Sequence, residues 1–523
     1  MKKLTNILFI GLLVYGTSCK KYLDINTNPN SATVESAAPE LILPQALVGT
    51  ASNLNGFNSY GSQLVGYMAN AGGYGGFGTS VTYKFGSSDF QGRWSTTYDN
   101  LEDYQTILNL TNDKLPQYAY FNAAARIMKA YSFQLLVDAY NDVPYIEALQ
   151  GSDKLTTKYD KGAAVYTSLA NQLDSAIATI NEAETATGVT PLGPADVIFG
   201  GDAESWIKLA NTLKLRLIIH AKDKTSFANT TFDKAGFLTE DALINPGFKR
   251  DNGRQNPQWE AWAFTYTLSA GNKAWMPNKF VFGFYDGNKL SDPGRGKAIY
   301  YQFPTTGVNQ LGHEGNDVVS SPTGSFWYPG SDRSSAPGNT TGVLKGPDAG
   351  YPAFLASESY FLQAEAVVKG ILTSGDAKTL FNEGIKASFK YLYALPGGTL
   401  QGDPDADAEN YISENDGSKL VNFDLASTPA EKTEAIITQK YIALNFIHGH
   451  EAWNEYRRTH YPTIKTTPGA NAYETFASTQ SESTRPDRLP TRILYPSVEG
   501  SLNTANVPKD ISPFTSFIFW ALQ

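Results

Sequence analysis

Apolar residues recur at helical spacing over long stretches of this chain. Ala124, Met128, Tyr131 and Leu135 follow a 4-3-4 rhythm, and Tyr166, Leu169, Leu173, Ile177 and Ile180 follow 3-4-4-3. Trp206, Leu209, Leu213 and Leu217 follow 3-4-4. A second block between about Pro352 and Arg458 carries Ala356, Tyr360, Ala364 and Val367, then Ile437, Tyr441, Leu444 and Ile447. Each stripe covers one face of a helix and must be buried against another helix.

Small alanines alternate with large aromatics inside these stripes, as in stacked helix-turn-helix repeats of the tetratricopeptide kind, although no fixed period runs through them. Residues 251–350 lack the stripes and are rich in Gly, Asn, Pro and aromatics; 461–523 resemble them. A structureless loop of that length does not belong in a compact domain. The pattern therefore predicts a mainly α fold in which tetratricopeptide-like helical repeats support an irregular, loop-rich subdomain. The expected divisions are a scaffold in 36–250, a ligand-binding region in 251–350, more scaffold in 351–460, and a loop-rich C-terminal region in 461–523 packed on the scaffold.

The N-terminus reads as an address. Lys2 and Lys3 precede the short apolar run Leu4–Tyr15, and Gly16-Thr17-Ser18 lead to Cys19, the only cysteine. The run is too short to span a membrane and fits a secretory signal in 1–18. The position of Cys19 resembles the lipobox of bacterial lipoproteins, with Gly16 where that motif prefers Leu. Two or more acyl chains on Cys19 would anchor the chain stably. Residues 19–35 then form a polar tether.

Composition narrows the function. Charged residues are 18%, aromatics 13% and the net charge −9. An acidic chain gains nothing from displacing counterions on phosphates, which argues against a nucleic-acid partner. A single cysteine excludes a disulfide framework and a cysteine metal site. No P-loop, nucleophile elbow or zinc-protease motif occurs, so no catalytic role and no cofactor is expected. Gly73, Gly75 and Gly78 have dinucleotide-loop spacing without the flanking strand and helix, and read as a flexible aromatic-bearing loop.

Asp403, Asp405, Asp407, Glu409 and Glu414 mimic calcium-hand spacing. Ala408 replaces the required glycine and Pro404 stiffens the start. This stretch is expected to be a solvated loop, with Asp403, Asp405 and Asp407 only weak metal candidates. His448 and His450 follow a helical stripe and are expected to cap a helix C-terminus. Aromatic residues in polar, Gly-rich surroundings are the main candidates for binding, because a ring face packs on a sugar's C–H surface while neighbouring amides meet its hydroxyls. The candidate ligand-binding set is Tyr74, Trp94, Asn100, Trp259, Trp275, Trp327 and Tyr328, led by Trp94, Trp275 and Trp327. Trp206 and Trp453 are assigned to the core.

Several segments occur in a recognisable order. They are Lys21-Tyr22-Leu23-Asp24-Ile25-Asn26-Thr27-Asn28-Pro29-Asn30, Asp138-Ala139-Tyr140-Asn141-Asp142-Val143-Pro144-Tyr145, and Gly200-Gly201-Asp202 leading into Trp206. Ser291-Asp292-Pro293-Gly294-Arg295, Glu358 through Glu365, Glu451 through Arg458, and Arg492 through Pro496 follow. The set resembles the SusD/RagB family of outer-membrane nutrient-binding lipoproteins, in particular its SusD-like branch, over nearly the whole chain. Gly294 splits the family's Asp-Pro-Arg run.

The resemblance implies a lipid-anchored protein of the outer membrane, exposed at the cell surface. It implies a non-catalytic role: capturing oligosaccharides, or in some branches peptides, and passing them to a TonB-dependent SusC-like β-barrel transporter. Glu451, Arg457 and Arg458 would then knit helices together rather than touch ligand. A surface glycoside hydrolase, with two carboxylates across a cleft, and a purely structural adaptor are the readings from other classes.

Overall fold

In the computed structural model, residues 38–331, 337–466 and 470–523 are described. The expected signal segment, Cys19 and the tether lie outside them. The helical stripes become long helices: α1 (Pro39–Leu64), α3 (Gly92–Thr111), α4 (Ala119–Tyr140), α5 (Gly162–Ala183) and α6 (Ala203–Ala221), with the single turn α2 (Thr79–Thr82) after α1. Pro39 starts α1 where a missing N–H costs nothing, and Asp202 caps α6 by accepting from the Glu204 amide. In the second block stand α10 (Ala356–Val368), α11 (Ala377–Tyr393), α12 (Pro404–Glu414), α13 (Pro429–Ala443) and α14 (Gly449–Thr459). Thr428 and Glu431 close α13 with a reciprocal capping box.

Neighbouring helices pack in sequence, α1 on α3, α3 on α4, α4 on α5 and α5 on α6; α6 then meets α10, which packs on α11 and α13. The last helix returns to the first. Where α14 crosses α1, two glycines let the backbones touch: a Cβ on Gly61 would sit 2.1 Å from the His450 nitrogen, and one on Gly449 would sit 2.3 Å from the Ser62 hydroxyl. Gly61→Ala should force the helices apart and lower stability by about 1–3 kcal/mol, as overpacking does. Urea unfolding would measure it, and an unchanged midpoint would contradict this account of the crossing.

Among the described residues of 251–350 the elements are short: α7 (Pro257–Trp262), β3 (Trp275–Pro277), α8 (Lys279–Phe282) and α9 (Pro293–Ile299). One short helix, α15 (Ser497–Leu502), lies in the C-terminal region. Strand β1 (Met68–Asn70) pairs antiparallel with β3, Met68 opposite Pro277 and Asn70 opposite Trp275. β2 (Ala242–Ile244) pairs with β4 (Tyr351–Phe354). The first ribbon ties the irregular region to the helical scaffold, and the second joins the two helical blocks on either side of that region. No helix among the described residues is long and apolar enough to cross a membrane.

The helices also enclose a charged core. Lys440 donates to Glu451 and Glu455, each at 2.8 Å, and Arg216 reaches Glu358 at 3.2 Å. Arg458 pairs with Glu365 at 2.7 Å and with Glu455, and His220 meets Glu451 at 3.2 Å. All of these groups are buried, where a charge persists only if paired. Burial opposes protonation of His220, but the Glu451 and Glu455 carboxylates outweigh it and push its pKa up to about 9. Burial likewise works against an ionised Glu451, yet Lys440, His220 and Arg216 hold its pKa well below the usual carboxylate range. Arg457 donates to the Thr491 and Asp138 carbonyls. Glu451, Arg457 and Arg458 therefore join helices.

Two local expectations are corrected. The acidic stretch is not a solvated loop: it forms α12, with Pro404 at its first position and Asp403 as N-cap, accepting from the Ala406 amide at 3.1 Å. A helix separates Asp403, Asp405 and Asp407 along its turns and removes the calcium-hand geometry. His448 and His450 open α14 rather than closing a helix, because α13 ends at Ala443. At a helix N-terminus the dipole disfavours a cation. Burial first, and His448 second, hold the pKa of His450 well below its ordinary value.

Candidate functional site

The β1–β3 ribbon carries the most exposed aromatic loop. Asn70, at the end of β1, fixes the neighbouring chain: its side chain donates to the His313 carbonyl and accepts from the Gly312 amide, both at 2.8 Å. Asn309 donates to the carbonyls of Asn70 and His313. Gly72 then donates to the Val319 carbonyl at 2.9 Å, and a Cβ there would lie 1.9 Å from the Val318 oxygen. Only glycine allows this approach. Beyond it, Gly73, Gly76 and Gly78 take positive φ and bend residues 73–78 outward.

Tyr74 rides on this loop and is 47% exposed. Phe77 is half-buried, its ring edge-on to Trp275 at 5.4 Å. Trp275 is 8% exposed, at the margin of the core. Val319, whose carbonyl holds Gly72, is 50% exposed. An exposed His313–Asp317 pair, 3.0 Å apart, stands on the adjoining segment. Tyr266, 42% exposed, lies on the hairpin closed by Phe264 and Ala270 that leads into β3. These groups provide ring surface beside backbone amides and a His–Asp pair, with no arrangement for covalent chemistry among them.

The other predicted site residues are elsewhere. Trp94 on α3 is enclosed by Tyr98, Tyr140, Tyr159 and Tyr495, with ring centroids 4.9–6.0 Å away. Asn100 clamps α3 to α1, donating to the Ala46 carbonyl at 2.9 Å and accepting from Thr50 at 2.9 Å. Trp259 packs on Phe264 and Tyr328. Trp327 lies flat on Phe446 at 4.0 Å and is fully buried, as Tyr328 nearly is. The expectation that these rings face solvent is thus corrected for Trp94, Trp259, Trp327 and Tyr328: remote aromatics close over them. Of the predicted set, Tyr74 lies on the loop and Trp275 meets the loop through Phe77. Phe77, Val319 and Tyr266 were not anticipated, although the glycines on both sides of Phe77 marked a loop able to present a ring.

Among the described residues, one cluster has metal-ligand chemistry: Asp138, His220 and Glu451, all buried. The ion pairs of the core already engage its groups. Asp138 accepts from Asn454 at 3.1 Å and from the Trp520 indole at 3.0 Å, and Lys440 lies 2.8 Å from Glu451. This cluster reads as structural.

Comparison with known proteins adds three findings. Residues 29–496 match the sequence model of the SusD-like family, described as starch-binding and associating with the outer membrane. Solved structures of SusD homologues superimpose over almost their whole length. One from Bacteroides thetaiotaomicron matches with a TM-score of 0.68 at 21% identity, covering 92% of this chain and 99% of its own. One from Bacteroides fragilis gives 0.66 at 19% identity, covering 93% and 100%. A chitin-binding SusD homologue from Flavobacterium johnsoniae gives 0.66 at 22%, covering 91% and 98%. A search of curated protein sequences returned no match.

Proposed function

Because the chain belongs to the SusD-like family, we propose that it is a non-catalytic, lipid-anchored outer-membrane protein that captures oligosaccharides and delivers them to a TonB-dependent SusC-like transporter. The family's described starch binding and the chitin binding of a structural relative support a glycan as ligand. The observation that carries the reading is the loop 73–78, whose glycines leave Tyr74 47% exposed while Phe77, on the same loop, is anchored edge-on to Trp275. A sugar ring stacks on Tyr74, its hydroxyls meet polar groups of the 313–319 segment, and Phe77 and Trp275 keep the platform from collapsing. Trp94, Asn100, Trp259, Trp327 and Tyr328 hold the scaffold under it.

Calorimetry against maltohexaose, chitohexaose and short peptides tests this. Tyr74→Ala should weaken oligosaccharide binding about tenfold or more, as loss of a central aromatic anchor does, without changing the unfolding midpoint. Trp94→Ala should instead lower stability by about 3–5 kcal/mol. Wild-type affinity in Tyr74→Ala would discard the loop as the site. Binding of peptides and no sugar would replace the ligand class, and turnover of either sugar would replace the non-catalytic role.

A further inference from the structure

Gly294, the residue that splits the Asp-Pro-Arg run, stands in the first turn of α9. A Cβ built on it would lie 2.7 Å from the Tyr393 hydroxyl and 3.0 Å from the Phe389 ring. The glycine lets α9 approach the end of α11 this closely, and beside that contact lies a cleft of about 330 Å³ between α9, the end of α11 and the start of α12. That volume is at the lower end of the ~300–1,000 Å³ usual for small-molecule sites.

The cleft's polar groups are largely uncommitted. Tyr393 donates to one Asp407 carboxylate oxygen at 2.7 Å, and the described residues offer the other oxygen no partner. Lys297, Gln401 and Thr341 line the same space, with no side-chain hydrogen bond among the described residues. One carboxylate and one ammonium leave the cleft without net charge, while phenol, amide and alcohol alternate as donors and acceptors. Pro293, Ala298 and the Tyr393 ring supply its apolar surface. An uncharged molecule with hydroxyls on its rim and C–H groups on its faces satisfies both halves.

The walls are fixed in advance. Arg295, fully buried, lies over the Phe389 and Tyr411 rings at 4.5 and 4.6 Å and donates to Asp292 and Ser388. The Gly342 amide donates to the Leu392 carbonyl at 2.7 Å, and that of Gln401 to the Tyr393 carbonyl at 2.9 Å. These fixed walls need no ordering on binding, so the ordering cost falls on Lys297 and Gln401 alone.

We propose that this cleft is a second sugar-binding site, built on α9, α11 and α12, that takes a terminal pyranose unit independently of the Tyr74 loop. The proposal rests on the reading of the protein as an oligosaccharide binder. Calorimetric titration of the full mature chain with maltohexaose and with chitohexaose tests it. At least one of the two sugars occupies two sites per chain; Gly294→Leu displaces the Tyr393 wall of the cleft and removes one, and Tyr74→Ala removes the other. The pair Lys297→Ala with Gln401→Ala, both exposed and outside the core packing, weakens the second site about tenfold with an unchanged unfolding midpoint. A single site per chain, lost in Tyr74→Ala and indifferent to the Gly294, Lys297 and Gln401 variants, overturns the second site alone. Absence of any binding by the wild-type chain overturns the functional reading and this inference together.

Discussion

Replacing Glu451 with alanine should destabilise the protein by about 3–5 kcal/mol, the cost of removing one member of a buried ion pair and leaving the others uncompensated. Glu451 receives Lys440 at 2.8 Å, His220 at 3.2 Å and Asn454 at 3.1 Å, with all four side chains buried. Its loss leaves an ammonium, held otherwise by Glu455 and Glu358, next to an imidazolium with half its counter-charge gone. Urea unfolding of Glu451→Ala beside Glu434→Ala provides the comparison. Glu434 pairs with Lys419 at 2.9 Å near the surface and should cost about 1 kcal/mol or less. Equal losses in the two variants would show that the buried network does not support the fold.

The same network sets a pH window. His220 binds its proton more tightly when folded, with a pKa near 9 against an ordinary 6.5. Its contribution is fully present below pH 6.5 and is lost as pH rises through about 9. Glu451 and Glu455 have folded pKa values below the ordinary 4.5. Their contribution is present above that value and is lost as pH falls below it. Stability should peak between those limits, and His220→Gln should flatten the alkaline side. An alkaline decline that is the same in wild type and His220→Gln would assign it to other groups.

Periodicity made the scaffold readable because each stripe reports burial on one side of a helix. The stripe Tyr166–Ile180 lies wholly inside α5 and Trp206–Leu217 inside α6. It failed where burial comes from residues far along the chain. Trp327 sits among Gly, Pro and Ser, which reads as a loop presenting a ring, but Phe446 arrives from the second helical block and lies flat on it. Trp94 is covered by Tyr495, which nothing near Trp94 announces. Tyr74 was legible because glycines on both sides left it no cover. The helix α12 was legible and passed over: Asp403 followed by Pro404 is an N-cap and first-turn signal, which the carboxylate spacing obscured.

Arg295→Ala should rival Glu451→Ala in cost, again about 3–5 kcal/mol, and it connects the core to the cleft at Gly294. Arg295 and Asp292 are fully buried and meet at 2.5 Å. Burial raises the Asp292 pKa while Arg295 draws it back, so removing Arg295 leaves a carboxylate that must either take up a proton or stay charged without a partner. Two rings lose their shared contact as well, since the guanidinium lies over both Phe389 and Tyr411. The double variant Asp292→Asn with Arg295→Met separates these effects: asparagine still caps α9, and methionine fills the volume with no charge to match. If the unpaired charge dominates, the double variant should regain most of the lost stability. If the guanidinium's cation–π contact with the two rings dominates, it should stay near Arg295→Ala. Sugar titration of the double variant then reads the cleft, because the Phe389 ring packs directly against Gly294, which lines it. Recovered stability with a weakened second site would mean that the buried arginine shapes the cleft by positioning aromatic rings, a role distinct from holding the fold together.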